Sequence, residues 1–256
     1  MSSAISLDAI SHRFDGLSAL SDVTISATPG ERIALLGPSG AGKSTLLALL
    51  DGRLRGWKGK AEVLGAGVTA DKQPSSIERA NVGFIFQEFA LVERLTVYQN
   101  VMNGRLGRTR VWPSLWGRFN ERDHMVVARV LRDTGLEDLA RRRADQLSGG
   151  QRQRVAVARC LAQEPQLILA DEPVSNLDPA RAENILALIT GEARKRDIGV
   201  IFSSHQPDLS LRFSDRVIGL RDGAVLFDSG SAQVTADDIE QLYHGTLSIA
   251  GLRVVS

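Results

Sequence analysis

The sequence contains little cysteine, almost no excess charge and no long apolar runs. Cys160 is the only cysteine among the 256 residues, so neither an intrachain disulfide nor a cysteine-based zinc cluster can form. This suits a reducing compartment. The 31 basic and 30 acidic residues leave a formal net charge of +1, which gives no sign of the strongly basic surface of a general nucleic-acid binder.

The longest apolar stretches, such as residues 46–50 and 167–170, are far shorter than the ~20 residues of a membrane-spanning helix. Residues 1–10 contain Asp8 and no long apolar run, so we expect no secretory signal there. Hydrophobic residues still make up 43% of the chain, which is enough for a substantial core. We therefore expect a globular protein that does not itself cross a membrane but can dock on one that does.

Short apolar segments predict the strands of an α/β domain. Residues 23–27 alternate in polarity, as in a half-buried strand, whereas residues 33–36 are continuously apolar, as in a parallel strand buried on both faces. Further strands are predicted at residues 82–86, 167–170 and 200–202. Helical patterns lie between them, so the sheet is predicted to be mainly parallel.

Helix signals separate the central part of the chain from the rest. Asp178 before Pro179 predicts one helix start, and Thr235 with Asp238 predicts a capping box. Residues 95–101 and 125–131 look helical, and we expect a loop at residues 104–118. Few strand signals occur from about residue 88 to 163, which indicates a helical insert between two strands of the sheet.

A glycine-rich segment lies between a predicted buried strand and a predicted helix. It reads Gly37, Pro38, Ser39, Gly40, Ala41, Gly42, Lys43 and Ser44 and matches G-x-x-x-x-G-K-[ST] throughout. Its glycines let backbone N–H groups curl around phosphate oxygens, Lys43 supplies a charged donor, and Ser44 offers a hydroxyl to Mg²⁺. The segment predicts a nucleoside triphosphate site, which kinases, GTPases and helicases share. The alternative is a strand-to-helix turn that binds nothing.

Two acidic residues end the predicted strand at residues 167–170. At the carboxyl end of a parallel strand, Asp171 is placed to hold Mg²⁺ through its water shell. Glu172 is placed to polarise an attacking water as general base, a role worth ~10²–10⁴ in rate. Alternatively, the strand simply exits to solvent through two acids.

A second glycine motif opens onto another predicted helix and consists of Leu147, Ser148, Gly149, Gly150 and Gln151. A helix N-terminus of this kind can bind anions. Taken alone, a flexible turn is the better interpretation, because the segment lacks the lysine and serine of a phosphate loop.

Together these segments resemble the ATP-binding-cassette ATPases, in which residues 147–151 would be the signature motif. Gln87 stands at the Q-loop position and His205 at the switch-histidine position. The D-loop position holds Ser175, Asn176, Leu177 and Asp178. The resemblance implies one cassette domain over residues 1–256, with a P-loop NTPase (RecA-like) core at about 1–87 and 164–256. It also implies an N-terminal antiparallel β part and a helical subdomain at about 88–163.

The resemblance further implies a mechanism with ATP and Mg²⁺ as cofactors. Two copies would pack head to tail, each ATP lying between one phosphate loop and the other copy's signature motif. Glu172, His205 and Gln87 would be catalytic, and Ser44, Gln87 and Asp171 would hold Mg²⁺. Thr45 would extend the ATP site. Phe14 would stack on the adenine at a position where the family often has tyrosine. Phenylalanine retains the π-face and lacks the hydroxyl.

Residues 82–107 and 215–221 are similar to the ATPase subunit of bacterial phosphonate importers, as is the loop with Trp112 and Trp116. This implies a translocase ATPase that forms a homodimer, joins two transmembrane permease subunits and a periplasmic or extracellular solute-binding protein, and binds no nucleic acid. It would lie peripherally on the cytoplasmic face of the inner membrane.

Two points stay open within this resemblance. Ser203-Ser204-His205 stands where the subfamily often has Asn-Leu-His, so import of a related oxyanion such as phosphite or phosphate is an alternative. A soluble, non-transport cassette ATPase is another, although the chain lacks the long heptads or the zinc-module cysteines typical of those proteins.

Phe89, Leu91 and Val92 lie beside Gln87 in a segment that we expect to be exposed and to receive a helix of a membrane subunit. The alternative is that these three residues cap the local core.

Overall fold

The computed structural model describes residues 3–108, 119–175 and 177–243. Its strands are β1 (Ile5–Phe14), β2 (Leu17–Ala27), β3 (Arg32–Leu36), β4 (Lys58–Val63), β5 (Ala66–Val68), β6 (Val82–Ile85), β7 (Leu167–Ala170), β8 (Gly199–Ser204), β9 (Arg216–Arg221) and β10 (Ala224–Gly230). Its helices are α1 (Lys43–Leu50), α2 (Ser76–Asn81), α3 (Val97–Met102), α4 (Glu121–Asp133), α5 (Gly149–Ala162), α6 (Pro179–Lys195), α7 (Pro207–Phe213) and α8 (Ala236–Tyr243), with 3₁₀ turns at Asn103–Arg108, Glu137–Leu139 and Ala144–Gln146.

The strands form two sheets. The first is antiparallel and runs in the order β2-β1-β4-β5. The second runs β10-β9-β3-β8-β7-β6, and every neighbouring pair in it is parallel except β10 with β9. The predicted α/β class and mainly parallel sheet are confirmed.

The inner strands β3, β7 and β8 of the second sheet are buried on both faces because apolar residues occupy both of their sides. In β3, Ile33 and Leu35 pack against α1 and the antiparallel sheet, while Ala34 and Leu36 pack against the helices on the opposite face. The same alternation divides β7 between the two clusters. A strand buried in this way can present polar groups only at its ends, which determines where a site can form.

The helical segment between β6 and β7 shares its core with the sheet. Val97 and Val101 of α3, Val127 of α4 and Val157 of α5 belong to the same buried cluster as Ile85 of β6. Within the described part of residues 88–163, regular structure is helical apart from one isolated bridge, Thr96 with Arg143. The predicted helical character of this insert is therefore confirmed, and its bounds stay a prediction.

Two local predictions in this insert are wrong. The predicted loop contains a 3₁₀ turn, because the buried Arg105 anchors it through bonds of 2.8 Å to Asp123 Oδ1, Ala162 O and Glu164 Oε2. The first helix begins at Val97 rather than residue 95, because the side chain of Thr96 caps it. Residues 109–118, including Trp112 and Trp116, lie outside the described residues.

The other helix predictions are confirmed. Asp178 accepts a bond from Arg181 N at 3.1 Å at the start of α6. Thr235 and Asp238 exchange side-chain and backbone bonds at the start of α8.

The predicted strand at residues 82–86 is one residue shorter in the structure and ends at Ile85. Among the described helices, none is long and apolar enough to cross a membrane.

Candidate functional site

The phosphate loop joins the carboxyl end of β3 to α1, where its backbone needs three glycines. Gly37, Gly40 and Gly42 have φ of 157°, 80° and 99°. A Cβ on Gly42 would lie 2.5 Å from Ala19 O, whereas one on Gly40 would meet nothing within 4 Å. The loop is thus packed against β2 on one side and open on the other. No side chain of the described residues caps α1, so its first N–H groups are available to an anion.

Lys43 lies buried at the start of α1. Its Nζ donates to Gly37 O at 2.7 Å and to Pro38 O at 2.9 Å. Burial lowers the pKa of Lys43, and the nearby Glu172 and Asp171 carboxylates partly oppose this by raising it. A partly desolvated cation is stabilised in its charged form by a nearby anion such as a phosphate.

Asp171 lies at the end of β7 and accepts two hydroxyl bonds on one oxygen. Ser44 Oγ donates to Asp171 Oδ1 at 2.9 Å, and Ser203 Oγ donates to the same atom at 2.7 Å. Ser44 and Asp171, each predicted as a Mg²⁺ ligand, are thus in direct contact. Together the two groups form a set of hard oxygen donors, the type that Mg²⁺ prefers.

Glu172 follows Asp171 with φ of 41°, a left-handed conformation that is uncommon for a residue with a side chain. Its backbone N donates to Ser203 Oγ at 2.8 Å. His205 Nδ1 lies 3.8 Å from Glu172 Oε2, and both side chains remain partly exposed. A carboxylate and an imidazole that face solvent beside a phosphate loop can orient and deprotonate a water.

Gln87 connects this cluster to the helical insert. Its Nε2 donates to Ser175 Oγ at 3.3 Å, and Ser175 Oγ in turn donates to Glu172 O at 3.2 Å. Ser175 and Leu177 lie a few residues after the acidic pair, and Asp178 caps α6. Asn176 lies outside the described residues.

The second glycine motif lies at the N-terminus of α5. Ser148 Oγ accepts from Gln151 N at 3.4 Å, and Gln151 Oε1 accepts from Ser148 N at 3.0 Å, forming a capping box that the sequence analysis did not identify. Ser148 is exposed, Leu147 is buried, and Gly149 and Gly150 are half-buried. Within the described part of the chain, no hydrogen bond joins this motif to the phosphate loop of the same chain.

Phe14 ends β1 opposite Leu17 of β2, and 51% of its surface is exposed. Its ring makes an edge contact with His12 at 4.4 Å between centroids. Its strand neighbour β2 supplies the Ala19 carbonyl that packs on Gly42. An exposed aromatic face is therefore held on the strand pair that borders the phosphate loop.

Three residues of the site were missed by the sequence analysis. Ser203 is fully buried and hydrogen-bonds to both Asp171 and Glu172. Gln153 of α5 is also buried and donates to Pro173 O at 2.6 Å. Tyr243 of α8 donates to His205 O at 3.1 Å, and burial raises the pKa of Tyr243 to about 12. Each of these residues belongs to one element and bonds to a loop that follows a different one. No local sequence pattern predicts such contacts.

Comparison with known proteins identifies the family. Residues 20–175 match the model of a family described as ABC transporter, which is more than half of the chain. The chain belongs to the ABC transporter family. The cassette is 43% identical over 231 residues to the phosphonates import ATP-binding protein PhnC of Nitratidesulfovibrio vulgaris, with 90% of this chain and 87% of the relative covered. It is 42% identical to the PhnC of Thiobacillus denitrificans, with 94% and 93% covered.

Solved structures agree with this assignment. CbiO1 of Clostridium perfringens, part of the ABC transporter complex CbiONQ, matches with a TM-score of 0.82 and 26% identity, covering 93% of each chain. A dimeric post-hydrolysis state of the cassette MJ0796 bound to ADP and Pi matches with a TM-score of 0.74 and 29% identity, covering 89% of this chain and 98% of that one. The cassette is accordingly a nucleotide-binding ATPase with the mixed, mostly parallel sheet of this family.

The residues present fit a nucleotide with its metal. The loop is open at Gly40 and provides uncapped N–H groups and a buried lysine. Ser44 and Asp171 provide the oxygen donors. The described residues contain no cluster of three or more His, Cys, Asp or Glu side chains suited to a metal.

The charge balance around Lys43 can be tested directly. We expect the pKa of Lys43 to lie below the usual lysine range, and Glu172→Gln to lower it further, because the Glu172 carboxylate raises it. The pH dependence of amine labelling, followed by mass spectrometry, measures both values. Lys195, whose pKa is raised by its bond to Glu192, is the control and should not respond to Glu172→Gln. An unresponsive Lys43 would contradict this charge arrangement.

Proposed function

We propose that this cassette is the ATP-hydrolysing subunit of a phosphonate importer. The observation that carries the substrate class is the identity of 42–43% to two PhnC proteins over at least 90% of this chain. The hydrolytic part rests on the site itself, where β3, β7 and β8 bring a phosphate loop, two carboxylates and a histidine to one sheet edge.

Each residue of the site has a proposed role. The backbone from Gly37 to Ser44, with Lys43 and Thr45, binds the phosphates, and Phe14 stacks on the base. Ser44, Asp171 and Gln87 hold Mg²⁺, which neutralises phosphate charge when bound. Glu172 accepts the proton of the attacking water, and His205 orients that water and Glu172. Placing donors where charge develops is the main source of such catalysis.

The signature motif completes the site of a second copy in this proposal. Ser148 is exposed at the N-terminus of α5, so its hydroxyl hydrogen and the adjacent helix N-terminus can face an anion of another chain. The dimeric MJ0796 structure with ADP and Pi supports a working homodimer. Residues 175–178 lie beside the acidic pair, where the second copy would also approach.

The proposed dimer can be tested by measuring the molecular mass of the protein in solution. Glu172→Gln should bind ATP, hydrolyse it very slowly and accumulate as a dimer, because removing the general base costs ~10²–10⁴ in rate. Adding Ser148→Arg should leave ATP binding intact and keep the protein monomeric. Light scattering with ATP measures mass, and calorimetry measures binding. If Ser148→Arg abolished ATP binding by the isolated chain, the shared site would be wrong.

A groove beside Gln87 is the proposed contact with a permease. It has a volume of about 670 Å³ and is lined by Phe86, Ala90, Leu106 and Arg159, among others. Arg159 of α5 donates to Phe89 O at 3.0 Å and also to Ala90 O, which holds the turn after Gln87. Because Gln87 reaches Ser175 and through it Glu172, the groove is connected to the acidic pair.

The three apolar residues expected to dock behave differently from one another. Leu91 is half-buried and packs on the core, as in the alternative that these residues cap it, and the buried Asn100 binds the adjacent backbone of Val92. Phe89 is half-buried below the Arg152 guanidinium. Val92 is 51% exposed. We therefore propose the groove itself, rather than this segment, as the receiving surface.

Docking can be tested by photocrosslinking in membranes that contain the assembled transporter. A photoreactive amino acid at Leu106, which is 46% exposed in the groove, should label a membrane subunit. The matched control is Leu226 on β10, which is 45% exposed and lies outside the groove lining. Equal labelling from both positions, or labelling from Leu226 alone, would contradict the proposed surface.

The remaining parts of the proposal follow from this assembly. Two permease subunits and a solute-binding protein complete the importer, with the cassette peripheral on the cytoplasmic face of the membrane. We also propose the division into a RecA-like core at about 1–87 and 164–256 and a helical subdomain at about 88–163. The shared buried cluster supports close packing of the two parts.

Uptake measurements in cells test the substrate class. Lys43→Ala should abolish uptake of a labelled alkylphosphonate while leaving the protein folded, because the Lys43 amine bonds to carbonyls of the phosphate loop itself, Gly37 O and Pro38 O. Wild-type cells supply the reference, and labelled phosphite and phosphate are measured in parallel. Loss of phosphite or phosphate uptake with normal alkylphosphonate uptake would favour the related-oxyanion alternative. No uptake defect would favour a non-transport ATPase.

A further inference from the structure

Ser203 occupies a position that none of the assigned roles uses. It belongs to β8, which lies between β3 and β7, and it pairs with Leu35 of β3. The pairing of β8 with β7 ends at Phe202 opposite Ala170. Ser203 is therefore the first β8 residue beyond that ladder, level with the point where β7 gives way to Asp171 and Glu172. Its side chain is fully buried.

The single hydroxyl of Ser203 contacts both acidic residues. It donates its proton to Asp171 Oδ1 at 2.7 Å, and its oxygen accepts the backbone N–H of Glu172 at 2.8 Å. The hydroxyl therefore fixes a carboxylate and the next residue's main chain at the same time. Hydrogen bonds to a charged group are the stronger ones, and a buried N–H left without an acceptor is costly.

We propose that Ser203 is a positioning residue that orients the Asp171 carboxylate and holds Glu172 in its left-handed conformation. This inference rests on the proposed ATPase function of the site. At φ of 41°, Glu172 occupies a conformation that persists only where the surroundings enforce it, and the bond to Ser203 is one such constraint. Loss of the hydroxyl would free both the carboxylate and the backbone that carries Glu172.

The bond from Ser203 matters most once a metal is bound. Asp171 Oδ1 now shares its lone pairs between Ser203 and Ser44. If Ser44 turns its oxygen to Mg²⁺, Ser203 remains as the described side chain that holds the carboxylate. Removal of the Ser203 hydroxyl should therefore weaken metal-dependent steps and spare the binding of nucleotide alone, for which the phosphate loop and Lys43 suffice.

The test compares three variants of the full chain. Ser203→Ala removes the hydroxyl, and Ser203→Thr restores one at the cost of a methyl group. Ser210→Ala is the matched control, because Ser210 is equally buried and its hydroxyl donates only to Gln206 O of its own helix, at 2.9 Å. The readouts are kcat and KM for ATP, the Mg²⁺ concentration for half-maximal rate, and calorimetric ATP affinity with and without Mg²⁺.

Ser203→Ala is expected to lower kcat about tenfold or more, raise the Mg²⁺ requirement and weaken ATP binding in Mg²⁺ but not in EDTA. Ser203→Thr should recover much of the loss, and Ser210→Ala should resemble the wild type. An unchanged kcat and Mg²⁺ requirement in Ser203→Ala would overturn the inference, as would equal loss of ATP affinity in EDTA or an equal effect of Ser210→Ala. A wild-type chain without ATPase activity would instead refute the proposed function.

Discussion

Burial of the inner strands of the six-stranded sheet on both faces is the constraint on which the site depends. Side chains of β3, β7 and β8 that point from the sheet meet apolar neighbours on either side, so polar groups collect where the strands end. The three strands are parallel neighbours, which brings their carboxyl ends to the same edge. The phosphate loop, the acidic pair and the segment from Ser203 to His205 meet there, although they are far apart in sequence.

One helix, α5, contacts two of the loops that follow strands of this sheet. At its N-terminus α5 carries the second glycine motif, and one turn later Gln153 binds the carbonyl of Pro173. Further along, Arg159 binds the turn at Phe89 and Ala90. Since a helix transmits displacement along its axis with little deformation, a shift of the turn beside the groove would move the glycine motif and the segment after Glu172 together. The contacts therefore provide a physical connection between the groove, the second glycine motif and the segment after Glu172.

The sequence was sufficient to predict what depends on local pattern. The buried strand β7 was predicted with its observed bounds, and the phosphate loop was recognised because glycine, lysine and serine each have a chemical reason to stand where they do. The start of α6 followed from the Asp178 cap. These elements share one property: the interaction that determines them lies within a few residues of the chain.

Contacts between distant elements were not predictable in this way. Ser203 and Tyr243 look like ordinary strand and helix residues until the sheet order brings them to Asp171 and His205. The 3₁₀ turn at Asn103–Arg108 depends on the buried Arg105, whose partners lie 18 to 59 residues away. The packing of the half-buried Leu91 on the core likewise accompanies bonds between the Asn100 side chain of α3 and the backbone of Val92.

The two glycine-containing helix starts differ in a way that affects the free chain. The start of α1 has no side-chain cap, whereas Ser148 and Gln151 satisfy the start of α5 from within. The capping box pairs the N–H groups of Ser148 and Gln151 within the chain, so the second glycine motif needs an anion less than the phosphate loop does. The phosphate loop, in contrast, keeps unsatisfied donors until an anion arrives. In the proposed dimer, nucleotide would therefore satisfy the phosphate loop of one chain first, and association of the two chains would depend on the nucleotide between them.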